Sequence, residues 1–125
     1  MSACLWTRIL AAALLLCSVS ALAASRPLGK TVRVYNGAIA FHRASLSYGY
    51  AVDRNTAREA QAEALKQCGH ANCEIVARLR NDCAVLANGK SRFGVGKGVT
   101  HNEAETKAMR ACGADCEPIV WACTR

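Results

Sequence analysis

The sequence predicts an α+β fold: a duplicated strand-strand-helix-strand unit forming one antiparallel-rich sheet, with two helices on one face and disulfide staples. Three observations predict it. One helix pattern is written twice, 44 residues apart, so that Thr56, Glu59, Ala60, Ala64, Leu65, Cys68 and Gly69 recur as Thr100, Glu103, Ala104, Ala108, Met109, Cys112 and Gly113. Short β-type runs flank each copy. A further cysteine and an Ile-Val pair follow each helix, Ile75-Val76 and Ile119-Val120 standing again 44 apart.

The elements follow in order. Residues 1–23 read as a secretory signal: Arg8, then the apolar run Ile9 to Val19, then Ala21-Leu22-Ala23 as a small-x-small cleavage site. The apolar run is shorter than the roughly 20 residues a membrane span needs. Leu16 is too large to precede a lipidated Cys17. Residues 24–36 are an N-terminal lead-in, within which Thr31 to Tyr35 is a β-type run ended by the turn signal Asn36-Gly37. A single domain of two tandem repeats, 37–82 and 83–123, follows. Gly37 to His42 and Ser47 to Val52 are strands, the second with Tyr48, Tyr50 and Val52 on one face and Gly49 and Ala51 on the other. Thr56-x-x-Glu59 is a capping box for a helix that Gly69 ends. Ala60, Ala64 and Cys68 make a small-sided stripe for close approach to a sheet. Glu74 to Arg80 alternates, with Ile75, Ala77 and Leu79 on one side and Val76, Arg78 and Arg80 on the other. Cys83 to Ala87 and Ser91 to Lys97 form a hairpin around Asn88-Gly89. Thr100 to Ala111 is the second helix, and Glu117 to Cys123 the closing strand.

Of 125 residues, sixteen are Lys or Arg and nine are Asp or Glu, a net charge of +7. The leader holds one of those cations, Arg8, so the mature chain keeps +6. It also holds Cys4 and Cys17, so eight cysteines become six. An even set in an exported chain reads as a disulfide framework. Six cysteines allow 15 pairings; the repeat favours Cys68–Cys73 and Cys112–Cys116 as equivalent local loops, leaving Cys83–Cys123 as the long bridge. A zinc site of Cys68, His70, Cys73, Cys112 and Cys116 lacks the paired C-x2-C spacing of zinc ribbons, and export favours oxidation. No metal, cofactor or catalytic cysteine is assigned.

The carboxylates mostly have structural uses. Glu59 and Glu103 cap helices, Glu103 and Lys107 stand four apart as an ion pair, and only Glu74, Asp82 and Glu117 lack an evident one. Phe93-Gly94-Val95-Gly96-Lys97-Gly98 aligns with Tyr48-Gly49-Tyr50, which makes it a strand rather than a phosphate loop. The cations carry the functional reading. Arg78, Arg80, Arg92 and Lys97 beside Tyr48 and Tyr50 form a candidate binding face, since arginine and tyrosine are favoured at binding hot spots.

Gly37-Ala38-Ile39-Ala40, Tyr48-Gly49-Tyr50, Ala60/Ala64/Cys68-Gly69 and Cys73 resemble the first half of the bacterial secreted domain of unknown function 4189 family. Cys83-Ala84-Val85-Leu86-Ala87, the Gly94/Gly96 strand, Ala104/Ala108/Cys112-Gly113, Cys116 and Val120-Trp121-Ala122-Cys123 resemble its second half. The resemblance spans about 37–123 and implies export and a disulfide-bonded α+β fold, with no established activity or catalytic residues. By the 44-residue register Ala77 stands where the second unit has Trp121, a departure from the family's tryptophan in that strand, and Phe93-Gly94-Val95-Gly96 lacks its tryptophans too.

These readings converge on a small exported, non-enzymatic binding protein, inhibitor- or immunity-like, secreted or periplasmic after cleavage near Ala23. Its expected partner is an acidic protein, cell-envelope polymer or anionic lipid, and nucleic acid is not expected. One alternative is a secreted effector acting at anionic membranes or on host or rival cells. A second is a hydrolase using Glu74, Asp82 or Glu117.

Overall fold

A computed structural model describes residues 28–125; the signal segment and cleavage site lie outside them. The chain divides into two units, Met1–Thr31 and Val32–Arg125. Of the first, only the exposed, irregular residues 28–31 are described.

The second unit runs β1 (Asn36–His42), β2 (Ser47–Arg54), α1 (Ala57–Cys68), β3 (Glu74–Arg80), β4 (Cys83–Asn88), β5 (Phe93–Gly98), α2 (His101–Cys112) and β6 (Glu117–Cys123). Strand-strand-helix-strand therefore occurs twice, in a disulfide-stapled α+β fold. The strands form two antiparallel three-stranded sheets, ordered β2-β1-β3 and β5-β4-β6, in place of the expected single sheet. Ile39, Phe41, Ala77 and Leu79 of the first sheet share one core with Ala84, Leu86, Val120 and Ala122 of the second. The sheets thus pack face to face. Each helix covers the outer face of its own sheet: α1 lies on Ala38, Ala40 and Ala51, and α2 on Cys83, Val85 and Ala87. The expectation of both helices on one face is corrected accordingly. The physical reason is visible in β1 and β4, whose central residues are buried on both faces, so each sheet needs two covering layers.

Both helices start and stop where their residues dictate. Thr56 Oγ1 accepts the Glu59 N–H at 3.1 Å, and Thr100 Oγ1 accepts the Glu103 N–H at 3.2 Å. Gly69, at φ 70°, takes the left-handed conformation that ends α1, its N–H bonding to Leu65 O. Between the caps, Ala60, Ala64 and Cys68 in α1 and Ala104, Ala108 and Cys112 in α2 are the buried stripe.

Strand details differ from the sequence reading in three places. Thr31 to Tyr35 is not a strand. Its end is tied to the β3–β4 turn by Asn81, whose side chain accepts the Tyr35 N–H at 2.8 Å and donates to Arg33 O at 3.1 Å. Asn36-Gly37 is no turn but the start of β1, because Asn36 Nδ2 bonds the carbonyls of Arg54 and Asn55 and Gly37 lies tight against Ala51 O. Around Asn88-Gly89 the hairpin is present, with β5 beginning at Phe93 and Gly89 N–H bonding Arg92 O across the loop.

A β-bulge in β3, between the pairs Ile39↔Ala77 and Ala40↔Ile75, turns Ile75 toward α1 and away from Ala77 and Leu79. β6 carries the matching bulge between Leu86↔Val120 and Ala87↔Pro118. Ala77 therefore corresponds to Val120, and Arg78 to Trp121. The 44-residue register holds in the helices but drops to 43 in these strands, because Cys112 and Cys116 enclose one residue fewer than Cys68 and Cys73. The expected equivalence of Ala77 and Trp121 is corrected by this shorter loop.

Cysteines pair as Cys68–Cys73, Cys83–Cys123 and Cys112–Cys116. Among the described residues, no helix is long and apolar enough to cross a membrane.

Two outcomes are expected. The Cys83–Cys123 bridge closes a 40-residue separation, against 5 and 4 for the local bridges. By chain entropy, its replacement with serines costs about 4 kcal/mol, against about 2 kcal/mol for either local pair, as read by denaturant unfolding. At Gly96 a Cβ would collide with Ala104 O and Ala108 N, backbone atoms of α2 that cannot swing aside. Gly96→Ala should lower stability by about 3 kcal/mol, a Tm drop of at least about 10 °C by thermal melting.

Candidate functional site

The uncovered surface begins where the helices end. Gly49 in β2 and Gly94 and Gly96 in β5 bring α1 and α2 down over the outer strands β2 and β5. The helix-side faces of β3 and β6 are left exposed beside the helix N-termini. On β3 that exposed row is Arg78 and Arg80; on β6 it is Trp121, 54% exposed, with Cys123 behind it in its disulfide.

Arg78 and Arg80 line a groove of about 500 Å³ together with Lys97, Val34, Asn36 and the first residue of α1, Ala57. Lys97 reaches it from β5 and pairs with Asp82 at 3.2 Å. Among the described residues neither arginine has a carboxylate partner within ion-pair distance. Two unneutralised guanidiniums side by side can grip carboxylate or phosphate oxygens bidentately.

The six expected face residues do not form one surface. Tyr48 and Tyr50 project from the opposite face of their sheet and line a separate groove of about 430 Å³ with Val52 and Ile119–Cys123. Arg92 lies at the other end of α2, its guanidinium packed against Gly113. The structure therefore brings Arg78, Arg80 and Lys97 together, places both tyrosines in a second groove and sets Arg92 apart.

Trp121 is the surface residue the sequence reading left out of the candidate face. Its ring stacks on His101 with centroids 4.6 Å apart. His101 Nε2 lies 3.2 Å from Glu105 Oε2, one turn along α2. The signal was available: Trp121 alternates with the core residues Val120 and Ala122, so it faces outward. His42, which has no catalytic context in sequence, and His70 stack at 3.8 Å beside the Cys68–Cys73 loop, with His70 Nδ1 accepting the Asn72 N–H.

The three carboxylates without an evident structural use are dispersed. Asp82 Oδ1 accepts the Arg80 N–H at 2.6 Å while Oδ2 holds Lys97, so its carboxylate is occupied by the β3–β4 turn. Glu74 and Glu117 begin corresponding strands in different sheets. Among the described residues, no three His, Cys, Asp or Glu side chains are grouped as a metal site.

One carboxyl is electrostatically perturbed. The Lys107 ammonium, donating to Glu103 at 2.7 Å, and next the Val99 N–H, donating at 3.0 Å, hold the Glu103 carboxyl below its ordinary value of 4.5. A lowered folded-state pKa means stabilisation that is complete above the ordinary value and lost as pH falls through the lowered one. Wild type should therefore melt above Glu103→Gln near neutrality, and the gap should close on acidification below 4.5, as read by thermal melts across pH.

The chain matches the family described as domain of unknown function (DUF4189) over residues 36–123, and it belongs to that family. Among solved structures, it is similar to the NMR structure of Rv1813c from Mycobacterium tuberculosis. The two share 30% identity and a TM-score of 0.59, over 74% of this chain and 76% of that one. No curated protein matches it.

Proposed function

We propose that this DUF4189-family chain is an exported, non-enzymatic binding protein that holds an acidic partner protein in the groove of Arg78, Arg80 and Lys97. The observation that carries the reading is the pair of arginines on one strand face, without carboxylate partners among the described residues, beside the N-terminus of α1. Both favour an anionic partner, the helix end through its partial positive charge. The mature chain's net charge of +6 adds long-range attraction and a faster encounter with such a partner.

Export is supported by the signal-like leader and by the pairing of all six remaining cysteines, which suits an oxidising compartment. Three bridges and short connections also hold the groove in one shape before binding, which reduces the ordering cost of association. An inhibitor or immunity-like role fits such a rigid, small surface.

The test is capture from periplasmic and culture fractions with the oxidised mature chain, beside an Arg78→Glu/Arg80→Glu variant. A stoichiometric acidic protein, bound with affinity that falls about tenfold or more in the variant and declines with salt, is the expected result. A partner held equally by the variant would place binding elsewhere. Capture of anionic lipid vesicles in place of a protein would favour the membrane-directed reading.

A further inference from the structure

We propose that the free edge of β6, over Ile119–Cys123, docks an extended acidic peptide segment of another protein as an added fourth strand of the second sheet. Among the described residues β6 pairs with β4 alone, which leaves its outer row of backbone N–H and C=O groups without a strand partner there. Such a row is matched by another backbone, which selects a polypeptide rather than a glycan or a lipid.

The two halves treat this edge differently. β3, the counterpart of β6, carries Glu74, Arg78 and Arg80, charged side chains of the kind that discourage strand addition. β6 has Glu117 and Pro118 only at its start, and from Ile119 to Cys123 it carries no charge. Where β3 has Arg78, β6 has the exposed Trp121.

The same edge runs along the groove of about 430 Å³ whose other wall is Tyr48, Tyr50 and Val52. Tyr48 and Tyr50 are 44% and 43% exposed. A strand laid on β6 places every second side chain toward these rings and the intervening ones toward Trp121. Apolar residues at alternate positions fit the tyrosine wall, and tyrosine and tryptophan are the residue types that dominate binding hot spots.

Charge selects between occupants. Among the described residues no charged side chain lines the groove, and at one end of it Arg54 and Arg125 outnumber the single carboxylate of Asp53, which accepts the Arg125 N–H. An acidic segment is attracted to a mature chain of net charge +6, whereas a second copy brings the same charge and is repelled. The occupant is therefore an acidic–apolar alternating segment of a different protein. The inference does not depend on the arginine groove, which is lined by Arg78, Arg80 and Lys97.

The experiment pans a display library of seven-residue peptides, alternating acidic and apolar, against the oxidised mature chain. Trp121→Arg serves as counter-target, since Arg78 shows that the fold carries arginine at this place. Tyr48→Ala/Tyr50→Ala is a second variant that leaves the β6 side chains intact. Enriched peptides should bind wild type, lose about tenfold or more with either variant, and keep their affinity for Arg78→Glu/Arg80→Glu at a salt concentration that screens charges more than a Debye length from the edge. Backbone N-methylation of an enriched peptide at alternate residues should abolish binding while its side chains remain. No enrichment over Trp121→Arg, or N-methylated peptides that bind as well, would overturn the proposal. Sedimentation showing a wild-type dimer that Trp121→Arg dissolves would overturn the chosen occupant, because a second copy would then fill the edge.

Discussion

Backbone contact between each helix and the glycines beneath it governs where everything else in this fold lies. At Gly49 the strand approaches Ala64 O and Cys68 N of α1 so closely that no side chain fits between them, and Gly94 and Gly96 bring β5 as near to α2. The fully buried helix residues at the contact are alanine and cysteine, so the helices sit low on the outer strands β2 and β5. Larger residues at either surface would lift the helices and spread them across the sheets. As built, each helix leaves the far strand of its sheet uncovered beside the helix N-terminus, and those parts of β3 and β6 carry the surfaces available for binding.

The two halves share this frame and differ in what they display on it. Asn36 and Arg80 face each other across β1 and β3 at the place where β4 and β6 have Cys83 and Cys123. The second half closes that end with a disulfide, and the first leaves it polar, with Asn36 bonded to the Arg54 and Asn55 carbonyls and Arg80 free of any carboxylate among the described residues. Two residue pairs further along, Arg78 corresponds to Trp121. A cationic groove and an aromatic strand edge thus occupy related places on opposite sheets.

Much of the fold was legible because its signals are local. A threonine three residues before a glutamate and a cysteine followed by glycine mark both helix ends, and capping needs no knowledge of the rest of the chain. What was misread depends on distant partners. Asn36-Gly37 has the composition of a turn, yet Asn36 finds its hydrogen bonds eighteen residues away at Arg54, and that contact holds it in a strand. The single sheet failed for a related reason. Ala38, Ile39, Ala40 and Phe41 are all buried, a continuous apolar run that signals a strand covered on both faces, whereas the alternation in Glu74–Arg80 suggested a half-exposed one. The repeat register misled where a one-residue difference in the disulfide loops was absorbed before the strand began. The helix spacing was then carried into β3 and β6, and Trp121 was set against Ala77 in place of Arg78.

That last displacement also decided how much of the candidate site could be seen. The register aligned Trp121 with Ala77, and the tryptophan was left out of the candidate face; the expected single sheet, with its helices on one side, gathered the cations and tyrosines on the other. In the folded chain, side-chain direction separates them: Arg78 and Arg80 point to the helix side of the first sheet, while Tyr48 and Tyr50 point to the side that meets the second sheet. A strand alternates faces at every residue, so a surface argued from sequence survives only if each face is known to be covered or bare. Here coverage is set by the low helices, and it leaves bare the two edge strands on which the halves differ most. The shared frame needs glycine, alanine and cysteine at its contacts; positions 78, 80 and 121 lie outside those contacts, and are free to carry recognition.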